Sequence, residues 1–338
     1  MSRMTENREF CVKLLRSGRT YVVRGDQTVL DGALESGLVL PHSCRNGICG
    51  ACEARVLEGQ VDIQENDRSV GTTLLCQAKP LTDLVIDAEE LVVGAVTPRR
   101  MPARVHKIER VAPDVTVLTL RLPEINPLKF AAGQYVDILM RDGGRRSYSI
   151  ATTPGADGVT EIQLHVRQMR GGRFSDQMLS GLKEKDILRI EAPFGTFCLR
   201  PERSVPAILL ASGTGIAPIL SIVEASRKRG DSRSLFLYWG CRTQQDLYLS
   251  HLQRWVESGW LTRYVPVLSD IAERERWSGR TGLVHHAVMD DFDDLSEFEV
   301  YACGAPAMVD AARRDFCASR GLSIHTFHSD AFISASKS

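Results

Sequence analysis

The pattern of apolar and polar positions changes twice along the chain and divides it into three regions. Residues 1–91 contain short alternating runs that are typical of β-strands, at 10–15, 20–23, 54–57 and 84–86. A helical spacing follows Thr28, where Leu30, Ala33 and Leu34 share one face. This region is therefore predicted to be a small domain that combines strands with one helix.

The next two regions differ in the rhythm of their predicted elements. Residues 92–102 carry glycine, proline and arginine and are predicted to be a linker. Residues 103–201 predict an antiparallel β-barrel, with strands at 103–110, 115–120, 134–140, 147–150, 161–166 and 186–191. Residues 202–338 alternate strands with helices and predict a doubly wound parallel sheet, with strands at 206–211, 234–239, 262–268, 297–301 and 323–327. We therefore expect an α+β multidomain protein.

Composition and charge argue against several classes of function. The 338 residues are 43% apolar and 25% charged, an ordinary globular composition, and the formal net charge is zero. Because phosphate contacts require clustered cations, nucleic acid is not an expected partner. The N-terminus lacks the apolar stretch of a signal peptide, and no run approaches the roughly 20 apolar residues of a membrane span. We expect a soluble, monomeric, cytoplasmic protein without a membrane partner.

Nine cysteines are many for a chain in a reducing compartment, where disulfides rarely persist. Cys44, Cys49 and Cys52 have the spacing C-x4-C-x2-C, and Cys76 follows them. This is the ligand spacing of a plant-type [2Fe–2S] cluster, whose irons prefer thiolates. A zinc site is the alternative, but zinc sites usually pair two short-spaced couples, and only Cys49 and Cys52 form such a couple here.

The sequence around these cysteines resembles plant-type ferredoxins. The similar segment reads Pro-His-Ser-Cys-Arg-Asn-Gly-Ile-Cys-Gly-Ala-Cys at positions 41–52. In it, Gly47 and Gly50 allow a tight loop that brings backbone N–H groups toward the sulfurs. The resemblance extends over residues 1–91 and implies a β-grasp fold that carries the cluster.

A second candidate site lies in the predicted barrel. Arg146, Ser147, Tyr148 and Ser149 combine an arginine that can hold a pyrophosphate, an aromatic ring that can stack on a flavin, and hydroxyls that can bond its edge. A later segment suits an anion at a helix N-terminus and consists of Gly171, Gly172, Arg173 and Ser175. Each motif alone is also typical of ordinary packing or of a helix cap.

Together, and in this order before an α/β region, the two motifs resemble the ferredoxin–NADP⁺ reductase superfamily, whose R-x-Y-S pattern is matched in full. The resemblance implies bound FAD. It implies that Arg146 holds the phosphates, that Tyr148 stacks on the isoalloxazine ring, and that Ser149 bonds near N5 as a catalytic residue. It further implies contacts to the ribityl and phosphate region from His165, Val166 and Arg167, and a pyrophosphate cap from Gly172 to Ser175.

The third candidate site follows the first predicted strand of the α/β region. Gly213, Thr214 and Gly215 permit a tight strand-to-helix turn in which the backbone closely approaches a phosphate. A lone G-x-G motif is weak evidence, because the third glycine of the usual dinucleotide fingerprint is missing. The superfamily's own motif, Gly-Thr-Gly-Ile-Ala-Pro, is matched residue for residue at 213–218.

The same resemblance implies further contacts to the nicotinamide nucleotide. Cys303 and Gly304 would lie against the nicotinamide, with Cys303 as a catalytic residue, and Phe332 would lie near the flavin. A small buried thiol with no direct role is the alternative for Cys303. Asp246 follows the predicted strand at 234–239, where it would repel a 2′-phosphate. The expected nucleotide is therefore NADH, with NADPH less favoured.

The whole chain resembles the reductase components of bacterial aromatic-ring-hydroxylating dioxygenases of the naphthalene dioxygenase type, most closely in segments 218–223, 244–248 and 303–309. The resemblance implies an iron–sulfur flavoprotein oxidoreductase that passes electrons from NADH through FAD and [2Fe–2S] to a terminal oxygenase or its ferredoxin in aromatic hydrocarbon catabolism. Reductases of multicomponent monooxygenases and CDP-6-deoxyhexose reductases, similar at 193–200, are alternatives. A non-enzymatic redox sensor is a further hypothesis, but a sensor would not require a hydride-donor site.

Overall fold

The computed structural model describes residues 8–43, 45, 47, 50–62, 71–91, 97–169, 171, 173–200, 204–270 and 277–332. The chain divides into two compact units, Met1–Thr97 and Pro98–Ser338. Within the described ranges, no helix is both long and apolar enough to cross a membrane.

The first unit is built on a mixed five-stranded sheet in the order β2-β1-β7-β3-β5, in which β1 and β7 are parallel. Its elements are β1 (Glu9–Leu14), β2 (Thr20–Arg24), α1 (Val29–Glu35), β3 (Glu53–Glu58), β4 (Val61–Asp62), β5 (Thr72–Leu74), β6 (Lys79–Pro80) and β7 (Leu84–Asp87). Thr28 caps α1, because its hydroxyl accepts the N–H of Asp31 at 3.1 Å. Leu30 and Ala33 of α1 are buried against the sheet, as their spacing predicts.

The second unit begins with a six-stranded antiparallel sheet in the order β11-β10-β13-β8-β9-β12. Its strands are β8 (Arg99–Ala112), β9 (Val115–Arg121), β10 (Tyr135–Leu139), β11 (Arg145–Ser149), β12 (Glu161–Arg167) and β13 (Ile187–Phe194). An antiparallel bridge between Ile150 and Leu164 joins the two edges of the sheet. The closed sheet surrounds an apolar core, which confirms the predicted β-barrel.

The rest of the second unit is a six-stranded parallel sheet in the order β17-β16-β15-β14-β18-β19. Its elements are β14 (Ala207–Ser212), α2 (Ile216–Lys228), β15 (Leu235–Cys241), α3 (Leu252–Glu257), β16 (Arg263–Leu268), β17 (Arg280–Thr281), α4 (Val284–Asp291), β18 (Glu299–Gly304), α5 (Pro306–Ser319) and β19 (Phe327–Ala331). The strand order reverses direction at β14, which is the switch point where ligands bind in such sheets.

The predicted linker extends too far along the chain. Residues 92–96 lie outside the described residues, and Arg99–Pro102 form the first part of β8. They pair with β13 in the register Arg99 to Ala192 through Pro102 to Arg189. The proline and the arginines suggested a linker, but neighbouring residues of the barrel hold them in the sheet.

Two predicted strands of the parallel sheet are also misplaced. The strand predicted at 297–301 continues to Gly304, so Cys303 and Gly304 are its last residues instead of following it. The strand predicted at 323–327 begins only at Phe327. Residues 324–326 form a 3₁₀ turn, because the Ser323 hydroxyl accepts the N–H of His325 at 3.3 Å.

Candidate functional site

Two of the four cysteines assigned to an iron–sulfur cluster, Cys52 and Cys76, lie at one end of the first sheet. Cys52 directly precedes β3, and Cys76 follows β5. These strands pair, and the N–H of Leu75 donates to the carbonyl oxygen of Cys52 at 3.1 Å. Both side chains are buried, with only 4% of Cys52 and 5% of Cys76 exposed. The other two predicted ligands, Cys44 and Cys49, lie outside the described residues.

The loop around these thiols suits a bound cluster. Arg45, Gly47 and Gly50 have φ angles of 53°, 84° and 74°, which turn the backbone tightly. The side-chain amide of Gln77 donates to the Cys76 carbonyl oxygen at 2.8 Å and lies 3.7 Å from its Sγ atom. The sequence did not indicate Gln77, but N–H donors beside the sulfurs are typical of iron–sulfur sites. Buried thiols with such donors fit a [2Fe–2S] cluster.

The predicted flavin strand is β11 of the barrel. Side chains alternate along a strand, so Arg146 and Tyr148 share one face and Ser147 and Ser149 share the other. Arg146 and Tyr148 are half-buried, and the Tyr148 ring centroid lies 5.3 Å from that of Phe174. Burial raises the pKa of Tyr148, which keeps the phenol neutral. A guanidinium and a packed ring on one face fit a flavin nucleotide.

Three predicted FAD contacts have side chains that interact within the protein. The Ser147 hydroxyl donates to Asp137 at 2.7 Å, and the Ser175 hydroxyl accepts the N–H of Met169 at 3.1 Å. The Val166 side chain is fully buried in the barrel core, because strand alternation turns it away from the face of His165 and Arg167. The Val166 side chain therefore packs in the core, and a contact from this residue to the flavin nucleotide would use its backbone.

Gly171 lies in a turn after β12. Gly171 has a φ angle of 74°, and its N–H donates to the Asp176 carboxylate at 2.8 Å. The following Arg173–Met178 form a π-helical turn. Gly172 and the side chain of Arg173 lie outside the described part of the structure.

His165 and Arg167 on β12 join the barrel to the parallel sheet. The Nδ1 atom of His165 lies 2.9 Å from the hydroxyl of Tyr248, and burial lowers the pKa of His165 to about 4. Arg167 pairs with Asp114 at 3.3 Å. A Cβ added to Gly213 would lie 2.7 Å from the Arg167 guanidinium. The Arg167 guanidinium therefore lies at the start of the nucleotide loop, and the His165 imidazole contacts Tyr248 after β15.

The nucleotide loop runs from β14 into α2, at the switch point of the sheet. Thr214 is buried, and a Cβ on Gly215 would lie 2.2 Å from the carbonyl oxygen of Cys303. A Cβ on Gly304, whose φ angle is 131°, would lie 2.3 Å from the Ser212 hydroxyl. The glycines are therefore needed where the ends of β14 and β18 approach each other closely. A strand-to-helix loop of this kind is a typical site where backbone N–H groups bind a phosphate.

The two predicted catalytic residues meet at Asp330. The Ser149 hydroxyl donates to the Asp330 carboxylate at 3.4 Å, and β18 pairs with β19 so that Cys303 lies opposite Asp330. Cys303 is completely buried, and burial together with Asp330 raises the pKa of its thiol. The N–H of Phe332 donates to the carbonyl oxygen of Gly304 at 2.7 Å, which holds the last described residue beside this group. The sequence had not assigned Asp330 a role.

Asp246 is buried in the loop that follows β15. Only 3% of the residue is exposed. Its carboxylate accepts the N–H of Thr243 at 3.1 Å and closes a capping box around the 3₁₀ turn Gln244–Asp246. The exposed cation nearby is Arg242, whose guanidinium lies 2.9 Å from Asp114 and 3.8 Å from Asp246. The structure therefore gives the Asp246 side chain a structural role in the loop.

The chain matches three families of known domains. Residues 12–81 match the 2Fe-2S iron-sulfur cluster binding domain. Residues 102–198 match the oxidoreductase FAD-binding domain, and residues 209–314 match the oxidoreductase NAD-binding domain. These matches agree with the order of the candidate sites along the chain.

Similar proteins match over nearly the whole length. A CDP-6-deoxy-L-threo-D-glycero-4-hexulose-3-dehydrase reductase from Yersinia pseudotuberculosis is 40% identical over 329 residues, covering 95% of this chain and 98% of that protein. Reductase component 1 of a terephthalate 1,2-dioxygenase from a Comamonas species is 36% identical over 318 residues, covering 91% and 93%.

Two solved structures are similar to this chain over nearly its whole length. The cytochrome P450 reductase from Amycolatopsis has a TM-score of 0.78 and 33% identity, covering 97% of this chain and 100% of that one. The ferredoxin reductase of a carbazole 1,9a-dioxygenase has a TM-score of 0.71 and 26% identity, covering 96% and 99%. The chain therefore belongs to the family of NADH-dependent iron–sulfur flavoprotein oxidoreductases that combine a [2Fe–2S] domain with FAD-binding and NAD-binding domains.

Proposed function

We propose that this protein supplies electrons to the terminal oxygenase, or to the ferredoxin, of a multicomponent aromatic-ring-hydroxylating dioxygenase. The observation that carries the proposal is the full-length similarity to dioxygenase reductase components, together with a complete set of candidate sites in one chain. When bound, a flavin takes two electrons from a nicotinamide and releases them singly, which suits a [2Fe–2S] acceptor. The order of transfer is thus NADH, FAD, cluster and partner.

The proposed residue roles follow the geometry. Arg146 and Tyr148 share the face of β11 that would hold the flavin phosphates and ring. Arg167 lies beside the nucleotide loop, and His165 precedes it by two positions on the same face of β12. Ser149 would bond the flavin edge, and Asp330 would position its hydroxyl. The [2Fe–2S] cluster would be held by four cysteines, Cys44, Cys49, Cys52 and Cys76. The segment after β12 would supply the remaining predicted FAD contacts, which are Gly171, Gly172, Arg173 and Ser175.

The proposed role of Cys303 requires a local movement. Its thiol has no exposed surface, so a nicotinamide ring reaches it only if a neighbouring segment shifts. Burial keeps the thiol protonated and uncharged. We propose that Cys303 contributes a small, neutral wall beside the nicotinamide, while Gly213, Thr214 and Gly215 hold the phosphates and Phe332 covers the flavin side.

We also propose NADH as the preferred nucleotide. Asp114 and Asp246 both lie near the exposed guanidinium of Arg242, the residue that directly follows β15. A 2′-phosphate entering there would meet two carboxylates as well as the cation. The repulsion would disfavour NADPH, whereas the uncharged ribose diol of NADH would not meet it.

Domain limits, cellular location and oligomeric state complete the proposal. We place a ferredoxin domain at 1–91, an FAD-binding barrel up to 201 and a nucleotide domain at 202–338, with the barrel beginning at Arg99 and not at residue 103. We place the protein in a reducing compartment such as the cytoplasm, because the cysteine spacing indicates cluster ligands instead of disulfides. The protein would act there as a monomer that docks transiently with its partner.

A second candidate partner is the dehydrase that acts on a CDP-6-deoxyhexulose. The observation that favours it is the 40% identity over 329 residues to the reductase of that enzyme, which exceeds the 36% identity to the terephthalate dioxygenase reductase. The electron path within the chain would be the same, because the partner determines only where the electrons finally go.

Reconstitution separates the two partners. The purified protein is mixed with a terephthalate-type dioxygenase or with a CDP-hexulose dehydrase, and NADH consumption is measured together with the product of each partner. If the dioxygenase forms its product and this is coupled to NADH consumption, the first proposal is supported. Coupled reduction of the CDP-sugar without dioxygenase turnover supports the second. Rapid NADH oxidation by ferricyanide with no turnover by either would reject both partners while retaining the reductase activity.

A further inference from the structure

Two adjacent histidines and an aspartate lie together on the outer helices of the nucleotide domain. His285 and His286 lie in the first turn of α4, and Asp315 lies near the end of α5. Each offers one ligand atom, and these atoms all lie within 4.8 Å of one another. The cluster belongs to none of the cofactor sites described above.

The distances within the cluster are close to those of a metal site. The Nε2 atom of His285 lies 3.2 Å from the Oδ2 atom of Asp315, and the two imidazole centroids are 4.3 Å apart. Ligand atoms around a tetrahedral zinc ion, each at about 2.0–2.1 Å from the metal, are separated by roughly 3.3 Å. The first pair already has this separation, and a small rotation of the exposed His286 ring would complete the set.

The three residues of this histidine–aspartate cluster differ in their exposure to solvent. Only 3% of His285 is exposed, and within the described residues its Nδ1 atom has no hydrogen-bond partner. His286 is exposed and Asp315 is partly exposed, so an ion can enter from solvent. Arg314 pairs with Oδ1 of Asp315 at 2.9 Å and leaves Oδ2 directed toward His285. A second partner that orients a ligating carboxylate is a usual feature of metal sites.

A simple hydrogen bond between His285 and Asp315 is the alternative explanation. This hydrogen bond explains the position of the His285 ring, but it does not explain why the His286 ring lies against it. We propose that His285, His286 and Asp315 bind one divalent transition-metal ion of the zinc type, with water in the remaining position. Two imidazoles and a carboxylate are ligands that such ions accept. The ion would brace α4 against α5, the helix that starts two residues after Gly304.

Equilibrium dialysis of the cluster-loaded holoprotein against Zn²⁺ tests the site, with zinc and iron measured in the same sample. The iron content shows that zinc has not replaced iron at the cysteines. The expected result is one more zinc ion per chain in the unchanged protein than in the His286→Ala variant. Asp315→Asn should weaken this binding by at least about tenfold.

His106→Ala is the matched control. His106 is exposed on β8, and its Nε2 atom lies 3.9 Å from Glu161, so it forms a histidine–carboxylate pair without a second imidazole. Its removal should not change zinc binding. Ferricyanide reduction by NADH at an unchanged rate in every variant shows that the nucleotide domain is folded. If the unchanged protein binds no more zinc than His286→Ala, or if Asp315→Asn binds zinc as tightly as the unchanged protein, the proposal is wrong.

Discussion

Gly215 illustrates how a single missing methyl group allows the nucleotide loop to form. Its φ angle is −59°, which any residue adopts, so the need for glycine arises from space alone. A Cβ there would lie 2.2 Å from the Cys303 carbonyl oxygen. Because that oxygen belongs to the backbone of β18, the clash can be relieved only by moving the end of the strand or the loop that carries residue 215.

We therefore expect Gly215→Ala to destabilise the second unit by about 1–3 kcal/mol and to raise the KM for NADH. Urea unfolding followed by tryptophan fluorescence provides the measurement, since all four tryptophans lie between residues 239 and 277. Gly181→Ala is the control, because a Cβ at Gly181 would meet nothing within 4 Å. Equal stability of the two variants would contradict the close approach of β14 and β18.

His165 makes the stability of the second unit dependent on pH. Burial lowers its pKa from 6.5 to about 4, so between these values the unfolded chain binds a proton that the folded chain does not. The neutral imidazole therefore makes its full contribution to the free energy of unfolding above pH 6.5. This contribution is lost as the pH falls toward 4. Between pH 7 and pH 5 the loss should be on the order of 2 kcal/mol.

His165→Gln should reduce this loss, because the amide does not titrate and can still bond the Tyr248 hydroxyl. Urea unfolding at pH 7 and at pH 5 measures the difference. His251 and His285 also have lowered pKa values, mainly through burial, and should leave part of the pH dependence in place. The exposed His106, changed to Gln, serves as the control. A pH dependence as steep in His165→Gln as in the unchanged protein would rule out the neutral, buried state of His165.

At the level of single residues, the sequence predicted the motif residues but not the residues that support them. Arg146, Tyr148 and Gly215 could be found because each belongs to a short contiguous pattern. Asp330 could not, since its meeting with Ser149 depends on a contact between residues 181 positions apart. Gln77 reaches the Cys76 sulfur only through the local turn. A carboxylate two residues before the predicted flavin contact Phe332 was the available signal for Asp330.

Whole elements were predicted where the local pattern and the tertiary contacts agree. The Thr28 cap and the apolar face of α1 determine a helix by themselves, and the structure confirms it. The beginning of β8 was missed because its glycine- and proline-rich surroundings favour a linker, whereas pairing with β13 holds it in the sheet. The late start of β19 has a similar cause, since the Ser323 cap delays the strand.

The turn Gln244–Asp246 is an element whose charge can be changed without removing its cap. In Asp246→Asn, the amide oxygen can still accept the N–H of Thr243, which the carboxylate accepts at 3.1 Å. Only the negative charge beside Arg242 is lost. If that charge disfavours a 2′-phosphate, the ratio of kcat/KM for NADPH to that for NADH should rise by roughly fivefold, which corresponds to about 1 kcal/mol.

Steady-state kinetics with both nucleotides measures this ratio. Asp290→Asn is the control, because Asp290 is an exposed carboxylate of the same domain that pairs with Arg280 at 3.4 Å. A ratio that stays the same in Asp246→Asn would show that Asp246 acts only as a cap and has no influence on nucleotide choice.

The whole molecule consists of a cluster-bearing unit and a flavin–nucleotide unit, each with its own apolar core. The resemblance of short motifs to known families predicted this organisation, because each domain carries its ligands in contiguous segments. The division has a functional consequence. Damage to the first unit should leave the second unit folded, so the two halves of the electron path should be separable by mutation.

Cys52→Ser tests this separation, because it removes one buried thiol of the proposed cluster from the first unit. Hydride transfer from NADH to FAD requires only residues of the second unit, so ferricyanide, which reaches the flavin directly, should still be reduced at near the original rate. Cytochrome c is a protein acceptor that receives electrons from the cluster, so the rate of its reduction should fall to a small fraction of the original rate. Cys11→Ser is the control, since Cys11 is an exposed cysteine of the same unit and should leave both rates unchanged.

Arg146→Ala should have a different effect, because it acts on the second unit. Loss of the guanidinium weakens the hold on the FAD phosphates, so ferricyanide and cytochrome c reduction should fall together and recover in part when FAD is added. The pair of variants thus assigns each half of the path to one unit. If Cys52→Ser removes both activities equally in a folded protein that retains its FAD, electrons do not pass from NADH to the flavin before the cluster, and the proposed order is wrong.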